Sequence, residues 1–234
     1  MKHMQARTSR EAIALQDRLR EELRIQPLPG LRGQGKPVTV IAGVDVSMER
    51  FGTELFAGVA AMTYPRLEPI GHAVVRMRIG FPYIPGLLSF REIPGLLACL
   101  EKLREKLGHS PDLIMVDGQG IAHPRRLGIA AHLGIVTGIP TIGCAKSRLY
   151  GSYEEPQRVG EASPVVDPKT GEAIGYALKS KQRANSLVIS PGHMTSVDDA
   201  LEVVRTCLRG YRLPEPTRLA HELVNRFRRG EISE

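Results

Sequence analysis

Long apolar runs are missing from this sequence of 234 residues. No stretch reaches the roughly 18 apolar residues that a membrane helix needs. The polar, basic start (residues 1–10) lacks the apolar core of a secretory leader, so a cytoplasmic chain is expected. Cysteine is scarce. Cys99, Cys144 and Cys207 lie far apart with no Cys-x-x-Cys, which argues for a reducing compartment and against disulfides or a zinc site. Asparagine occurs only at Asn185 and Asn225, a scarcity found in proteins of warm habitats. There is no internal repeat and no low-complexity run. What is present is ordinary globular composition, 42% hydrophobic and 24% charged, which excludes disordered, collagenous and coiled-coil classes. Acidic residues number 25 against 32 basic ones, a net charge of +7 that points to a polyanionic partner such as nucleic acid.

Apolar periodicity divides the chain. Residues 9–24 read as a helix capped by Ser9, with Ile13, Gln16, Leu19 and Leu23 on one face. A Pro- and Gly-rich connector, residues 27–37, leads into the main body. Residues 1–36 are thus a helix and connector, 37–228 a core, and 229–234 a tail of one domain. Strands are predicted over 38–46, 54–62 and 67–79, as an antiparallel meander. The prolines of residues 81–86 exclude a central strand there. A helix is predicted from Pro94 to Gly108, a strand over 112–116, a helix over 124–136 and a strand over 140–145. That alternation implies parallel strands joined by helical crossovers. Strands over 173–178 and 185–189 follow. A helix over 196–208 has Ser196 as its cap, and a last helix starts near Thr217. The fold class is α/β.

Asp45 follows the apolar run Ile41-Ala-Gly-Val44, and Asp117 follows Leu113-Ile-Met-Val116. Sites in open α/β sheets form where strands give way to loops. Two such carboxylates can share a Mg²⁺ ion, which prefers oxygen ligands; equally, Asp117-Gly118 can be a plain turn and Asp45 a solvated strand end. Glu92, before the Pro94 helix, adds a third acid, although a first-turn carboxylate also suits the helix dipole. Gly118 to Gly128 is the densest candidate segment. Gly118 and Gly120 permit close backbone approach, His123 stands at a helix mouth, and Arg125 and Arg126 oppose the helix dipole. Lys146 ends a strand, as a solvated lysine or a phosphate contact.

Taken in order, Gly43-Val-Asp45-Val46, Pro82-Tyr-Ile-Pro-Gly86, Ser89-Phe-Arg-Glu92, Val116-Asp-Gly118, His123-Pro-Arg-Arg-Leu-Gly128, Pro140-Thr-Ile-Gly-Cys-Ala-Lys146 and Gly210-Tyr-Arg-Leu-Pro-Glu-Pro-Thr-Arg218 resemble the endonuclease V family over about residues 38–225. The resemblance implies a ribonuclease H-like mixed sheet with flanking helices. It implies hydrolysis of the second phosphodiester 3′ of deoxyinosine, leaving 3′-hydroxyl and 5′-phosphate ends. It assigns Asp45, Asp117 and Glu92 to Mg²⁺ (Mn²⁺ substituting) and makes Lys146 a catalytic-site lysine and His221 an accessory residue beside the metal. Pro82, Tyr83, Ile84 and Pro85 become a strand-separating wedge. Backbone N–H groups around Gly118 and Gly120 are expected to read the base, His123 to close its pocket, and Leu88 and Ile129 to line it. The implied partner is DNA containing deoxyinosine, with inosine RNA as a further candidate, and a monomer away from membranes is expected. The competing readings are another ribonuclease H-like nuclease or resolvase, and a non-catalytic nucleic-acid-binding module. The presence of all three acids opposes the last.

Overall fold

Eight strands form one mixed sheet in the computed structural model, which describes residues 8–33, 35–48 and 52–234. In chain order the elements are α1 (Ser9–Arg20), β1 (Val40–Met48), β2 (Glu54–Thr63), β3 (Pro69–Arg78), α2 (Ser89–Leu107), β4 (Leu113–Val116), α3 (Ile129–Thr137), β5 (Thr141–Ala145), β6 (Ala162–Val166), β7 (Ala173–Leu178), β8 (Leu187–Pro191), α4 (Val197–Thr206) and α5 (Glu215–Arg228). Across the sheet the order is β3-β2-β1-β4-β5-β8-β7-β6. The expected meander β1-β2-β3 forms one side, and β1, β4 and β5 run parallel in the middle. The far side, β8-β7-β6, is antiparallel rather than a continuation of the parallel run. Nothing in the sequence pattern marked β6. It contains Pro164 and lies at the sheet edge, where a strand can do without one donor.

Strand alternation divides the core. Val40, Ala42, Val44, Ile114 and Val116 face α2 and α3, while Ile41, Leu113 and Met115 face the side of α4. Asp45 and Asp117 continue the odd-numbered series, so both belong to the second face. α5 packs on β1 and β2 there. It comes close because position 43 is glycine: a Cβ at Gly43 would stand 1.9 Å from the Pro216 carbonyl oxygen.

Several boundaries differ from the sequence expectation. β1 runs three residues beyond Asp45, because antiparallel pairing with β2 continues to Met48 after parallel pairing with β4 stops at Val44. Asp45 therefore ends the pairing on one edge, not the strand. α2 begins at Ser89, with Pro94 inside it; the turn Leu87–Glu92 is stitched by N–H bonds from Phe90, Arg91 and Glu92 to the Leu87 and Leu88 carbonyls. α3 begins at Ile129, not near Pro124, because Arg126 takes φ +57°, which no helix accommodates. Thr8, not Ser9, caps α1, its hydroxyl accepting from Glu11 N at 3.2 Å. The inward residues of α1 are Ala12, Leu15, Gln16 and Leu19; Ile13 points out. They pack on Phe81, Leu87, Phe90, Leu127 and Ala131, a small core separate from the two sheet faces.

Candidate active site

Val44 and Val116 are the last parallel pair between β1 and β4, and Asp117 N–H donates to the Val44 carbonyl at 3.2 Å. The next residue on each strand is therefore an aspartate, side by side on one face. α5 supplies the third group. From its close approach at Pro216, little more than one helical turn brings His221 over β1, where its Nδ1 lies 2.7 Å from Asp45 Oδ2. Asn225 Nδ2 lies 3.1 Å from His221 Nε2. An amide nitrogen only donates, so Nε2 accepts and Nδ1 carries the proton that Asp45 receives. Ligand atoms of Asp45, Asp117 and His221 all lie within 4.8 Å of one another.

Glu92, in the first turn of α2, approaches from the other side of the sheet. Its carboxyl is pushed up to about 7 by burial first, then by the charge of Asp45, with Asp117 adding to it and Arg91 opposing. Burial and Asp45 likewise raise Asp117. Lys146, just after β5, forms an ion pair with Asp117 Oδ2. Glu92 and Asp117, each raised by burial and by the charge of Asp45, make with that aspartate a carboxylate oxygen set of the kind that holds a hard divalent cation.

One cavity of about 310 Å³ adjoins the acids. Glu92, Asp117 and Lys146 form one end, and Leu88, Gly118, His123 and Ile129 line the rest, together with Gln16, Gly86 and Gln119. His123 is buried and held down to about 4, by burial first and then by Arg125, so it is neutral at physiological pH. Tyr83 is 65% exposed beside exposed Pro82 and Pro85, with Ile84 partly buried, while Phe81 and Leu87 anchor the loop. The aromatic ring at 83 is therefore not packed beneath its own loop.

The endonuclease V family profile matches residues 18–222. The chain belongs to the endonuclease V family. It is 45% identical to endonuclease V of Xanthomonas campestris pv. campestris strain B100 over 229 residues, 97% of this chain and 89% of that one. The crystal structure of endonuclease V from Streptomyces avermitilis superposes with a TM-score of 0.84 at 35% identity, covering 97% of this chain and 96% of that one. Endonuclease V of Ciona intestinalis, in complex with a 24mer DNA containing an inosine followed by a ribo-adenosine, shares the fold with a TM-score of 0.81 at 23% identity, covering 95% of this chain and 98% of that one. Family members are nucleases acting on nucleic acids, and the carboxylate cluster of this chain is a site that could bind a metal.

Two expectations about the loop after β4 need correction. Gly120 does not line the cavity: it is buried, its N–H donates to Ser190 Oγ at 2.9 Å, and a Cβ there would stand 2.1 Å from the Pro191 carbonyl oxygen. Gly118 N–H is also taken, by the Val116 carbonyl at 2.9 Å. Among the described residues Gln119 N–H is the one donor of the three left over. Nor do the two arginines oppose a helix dipole, since α3 begins only at Ile129, and both are partnered. Arg126 pairs with Asp167 at 2.6 Å and Glu172 at 3.1 Å, and Arg125 bonds Gln16 and the Gly86 carbonyl. Sequence reasoning also missed Arg212 as a support of the site. Its guanidinium donates to the Lys146 carbonyl at 2.6 Å and to that of Asn185 at 3.2 Å. Its place inside the Gly210–Arg218 motif was the available signal.

The electrostatics of Glu92 give a stability prediction for the protein without divalent ions. Folding lifts Glu92 from 4.5 to about 7. Between those values the folded state binds a proton that the unfolded state has released, so stability declines as pH rises through that window. Glu92→Gln cannot titrate, so in chelator its melting temperature should gain on the parent's between pH 5 and pH 8. Asp117 is raised as well, in parent and variant alike, so the difference between the two curves isolates Glu92. Melting curves that stay parallel across this range would remove Glu92 from the repelling cluster.

Proposed function

We propose that the chain is a deoxyribonuclease V: a divalent-cation-dependent endonuclease that hydrolyses the second phosphodiester 3′ of deoxyinosine in DNA, leaving 3′-hydroxyl and 5′-phosphate ends. Its role is repair of deaminated adenine, as a cytoplasmic monomer, and inosine in RNA is a further substrate. The observation that carries this reading is a cavity of about 310 Å³ lined by Asp117 of the acid cluster and by Glu92, in a chain of this family. The inosine-containing DNA held by the Ciona relative, which shares the fold, agrees with it.

Asp45 and Asp117 would hold Mg²⁺ (or Mn²⁺), with Glu92 beside them, and the ion would supply an acidified water and relieve negative charge at phosphorus. The protein groups do the rest. His221 Nδ1–H fixes the orientation of Asp45. Lys146, 37% exposed and paired with Asp117, is placed to turn toward the attacked phosphate, where a preorganised charge is worth a few kcal/mol of barrier. Gln119 N–H is the donor for O6 of hypoxanthine. Adenine would set its amino group against that donor, leaving a buried polar group unpaired at about 1–3 kcal/mol. Guanine, with its extra 2-amino group, is excluded sterically between Leu88 and Ile129.

Tyr83 fills the space that the extruded base leaves in the duplex, held out by the stiff Pro82-Tyr-Ile-Pro85 loop. Tyr83→Ala should weaken binding to duplex inosine DNA by about tenfold, since base–aromatic stacking is worth roughly 1–3 kcal/mol, and weaken single-stranded binding much less. Equal losses on both would make Tyr83 a stacking or packing residue only. The reading as a whole is tested with Mg²⁺ and matched oligonucleotides, as DNA and RNA, carrying inosine or adenine at one position. Cutting confined to inosine strands supports it. Cutting of both alike would favour a nuclease that reads shape.

A further inference from the structure

α1 contributes no acid to the cluster, yet it reaches the cavity through one side chain. Gln16 is 1% exposed. Its Oε1 accepts from Arg125 Nε at 2.5 Å, and its Nε2 donates to the Gly86 carbonyl at 3.0 Å and the Leu127 carbonyl at 3.3 Å. Arg125 Nη2 donates to the same Gly86 carbonyl at 2.7 Å, and the Arg125 N–H donates to His123 Nδ1 at 3.2 Å. Gly86 takes φ +78°, a conformation that glycine alone adopts without strain. One buried amide thus spends its oxygen and both its hydrogens tying the 81–88 loop to the 118–128 loop.

Packing does not require an amide here. The neighbours of Gln16 on α1 are Ala12, Leu15 and Leu19, and a methionine would fill the same volume. A buried amide is tolerated only when its hydrogen bonds are made, and then it fixes the position of whatever it bonds. What it bonds here belongs to two loops that line the cavity: Gly86, next to lining residue Leu88, in one, and Leu127 and Arg125, close to lining residue His123, in the other.

We propose that Gln16 is a positioning residue that sets the separation of these two loops, and through it the preference of the cavity for inosine over other bases. This rests on the cavity being the base pocket. Gln16 bonds neither β1, β4 nor α5, so Asp45, Asp117 and His221 keep their places when it is changed.

The test is a ratio. With chelator present, dissociation constants are measured for two strands that differ only in carrying inosine or adenine at one position. An unfolded fraction scales both constants alike, so the ratio reports pocket geometry and not stability. Gln16→Met should lower the parent's inosine-over-adenine ratio by at least about fivefold, the equivalent of one net hydrogen bond. Gln16→Glu keeps the contact to Arg125 but cannot make both donations, and should lower it as well. Leu19→Ala weakens the packing of α1, so it should lower the melting temperature and leave the ratio alone. An unchanged ratio in both Gln16 variants, or an equal fall in Leu19→Ala, would overturn the proposal while the base-pocket reading stands. A parent that prefers neither strand would instead overturn the reading of the cavity itself.

Discussion

Asp117→Asn is expected to slow single-turnover cleavage of an inosine strand by at least about a thousandfold, or ~4 kcal/mol of barrier, without lowering the melting temperature. The side chain is isosteric, so packing is kept. What changes is charge. Asp117 is buried beside Asp45, and both carboxylates push the Glu92 carboxyl upward. Removing one negative charge relieves that repulsion. The cost is the ion pair with Lys146, whose side chain is 37% exposed and stays solvated when released; such half-exposed pairs contribute at most about 1 kcal/mol. A cation can no longer be held by two adjacent carboxylates, so activity should fall while stability holds or rises. Full activity in this variant would remove Asp117 from the proposed mechanism, and a large drop in melting temperature would show the acid to be structural.

Gly120→Val is expected to prevent native folding. Were Gly120 beside the base, as its motif implies, a valine there would fill the pocket and leave the fold intact. The geometry opposes this. A Cβ at position 120 meets Pro191 O at 2.1 Å, Pro191 C at 2.6 Å and Ser190 O at 2.8 Å, all backbone of the buried strand β8. Behind it, a Cβ at Gly143 would stand 2.3 Å from Gly120 N, so the loop cannot retreat toward β5. Ordinary overpacking costs about 1–3 kcal/mol because side chains can move aside. Here nothing but backbone is in the way, so the loss should exceed about 4 kcal/mol, a large part of the roughly 5–15 kcal/mol that keeps a domain folded. Urea denaturation of parent and variant measures it. A midpoint close to the parent's would contradict the packing described for this loop.

The residues that carry chemistry were legible because they sit in short, ordered motifs. The structure brings Asp45, Asp117 and His221 together, pairs Lys146 with Asp117, and sets Glu92, Asp117 and Lys146 in the lining of one cavity; what each does there belongs to the proposed mechanism. Central elements were legible for a different reason: β4, β5 and β7 are short apolar runs between clear breakers. The misreadings share one cause, which is tertiary context overriding a local signal. Pro94 looked like a first helical residue, but a turn at Leu87 and Leu88 starts α2 earlier. Arg125 and Arg126 looked like cations in the first turn of a helix, but they precede α3 and bond Gln16, Asp167 and Glu172, distant in sequence. The Gly120 backbone looked open to a ligand because the sequence gives no sign of β8 lying against it. The bridging role of Gln16 depends on a contact across more than a hundred residues, from α1 to Leu127, which no spacing rule reveals.

One measurement bears most directly on the whole reading. A 5′-labelled strand with a single deoxyinosine is incubated with the protein and Mg²⁺, and the product is sized to one nucleotide. The expected product ends one nucleotide 3′ of the inosine and carries a 3′-hydroxyl. It should be absent with chelator, absent in Asp117→Asn, and absent from a strand with adenine at the same position. Equal cutting of the adenine strand, or undiminished cutting by Asp117→Asn, would contradict an inosine-directed endonuclease built on these acids.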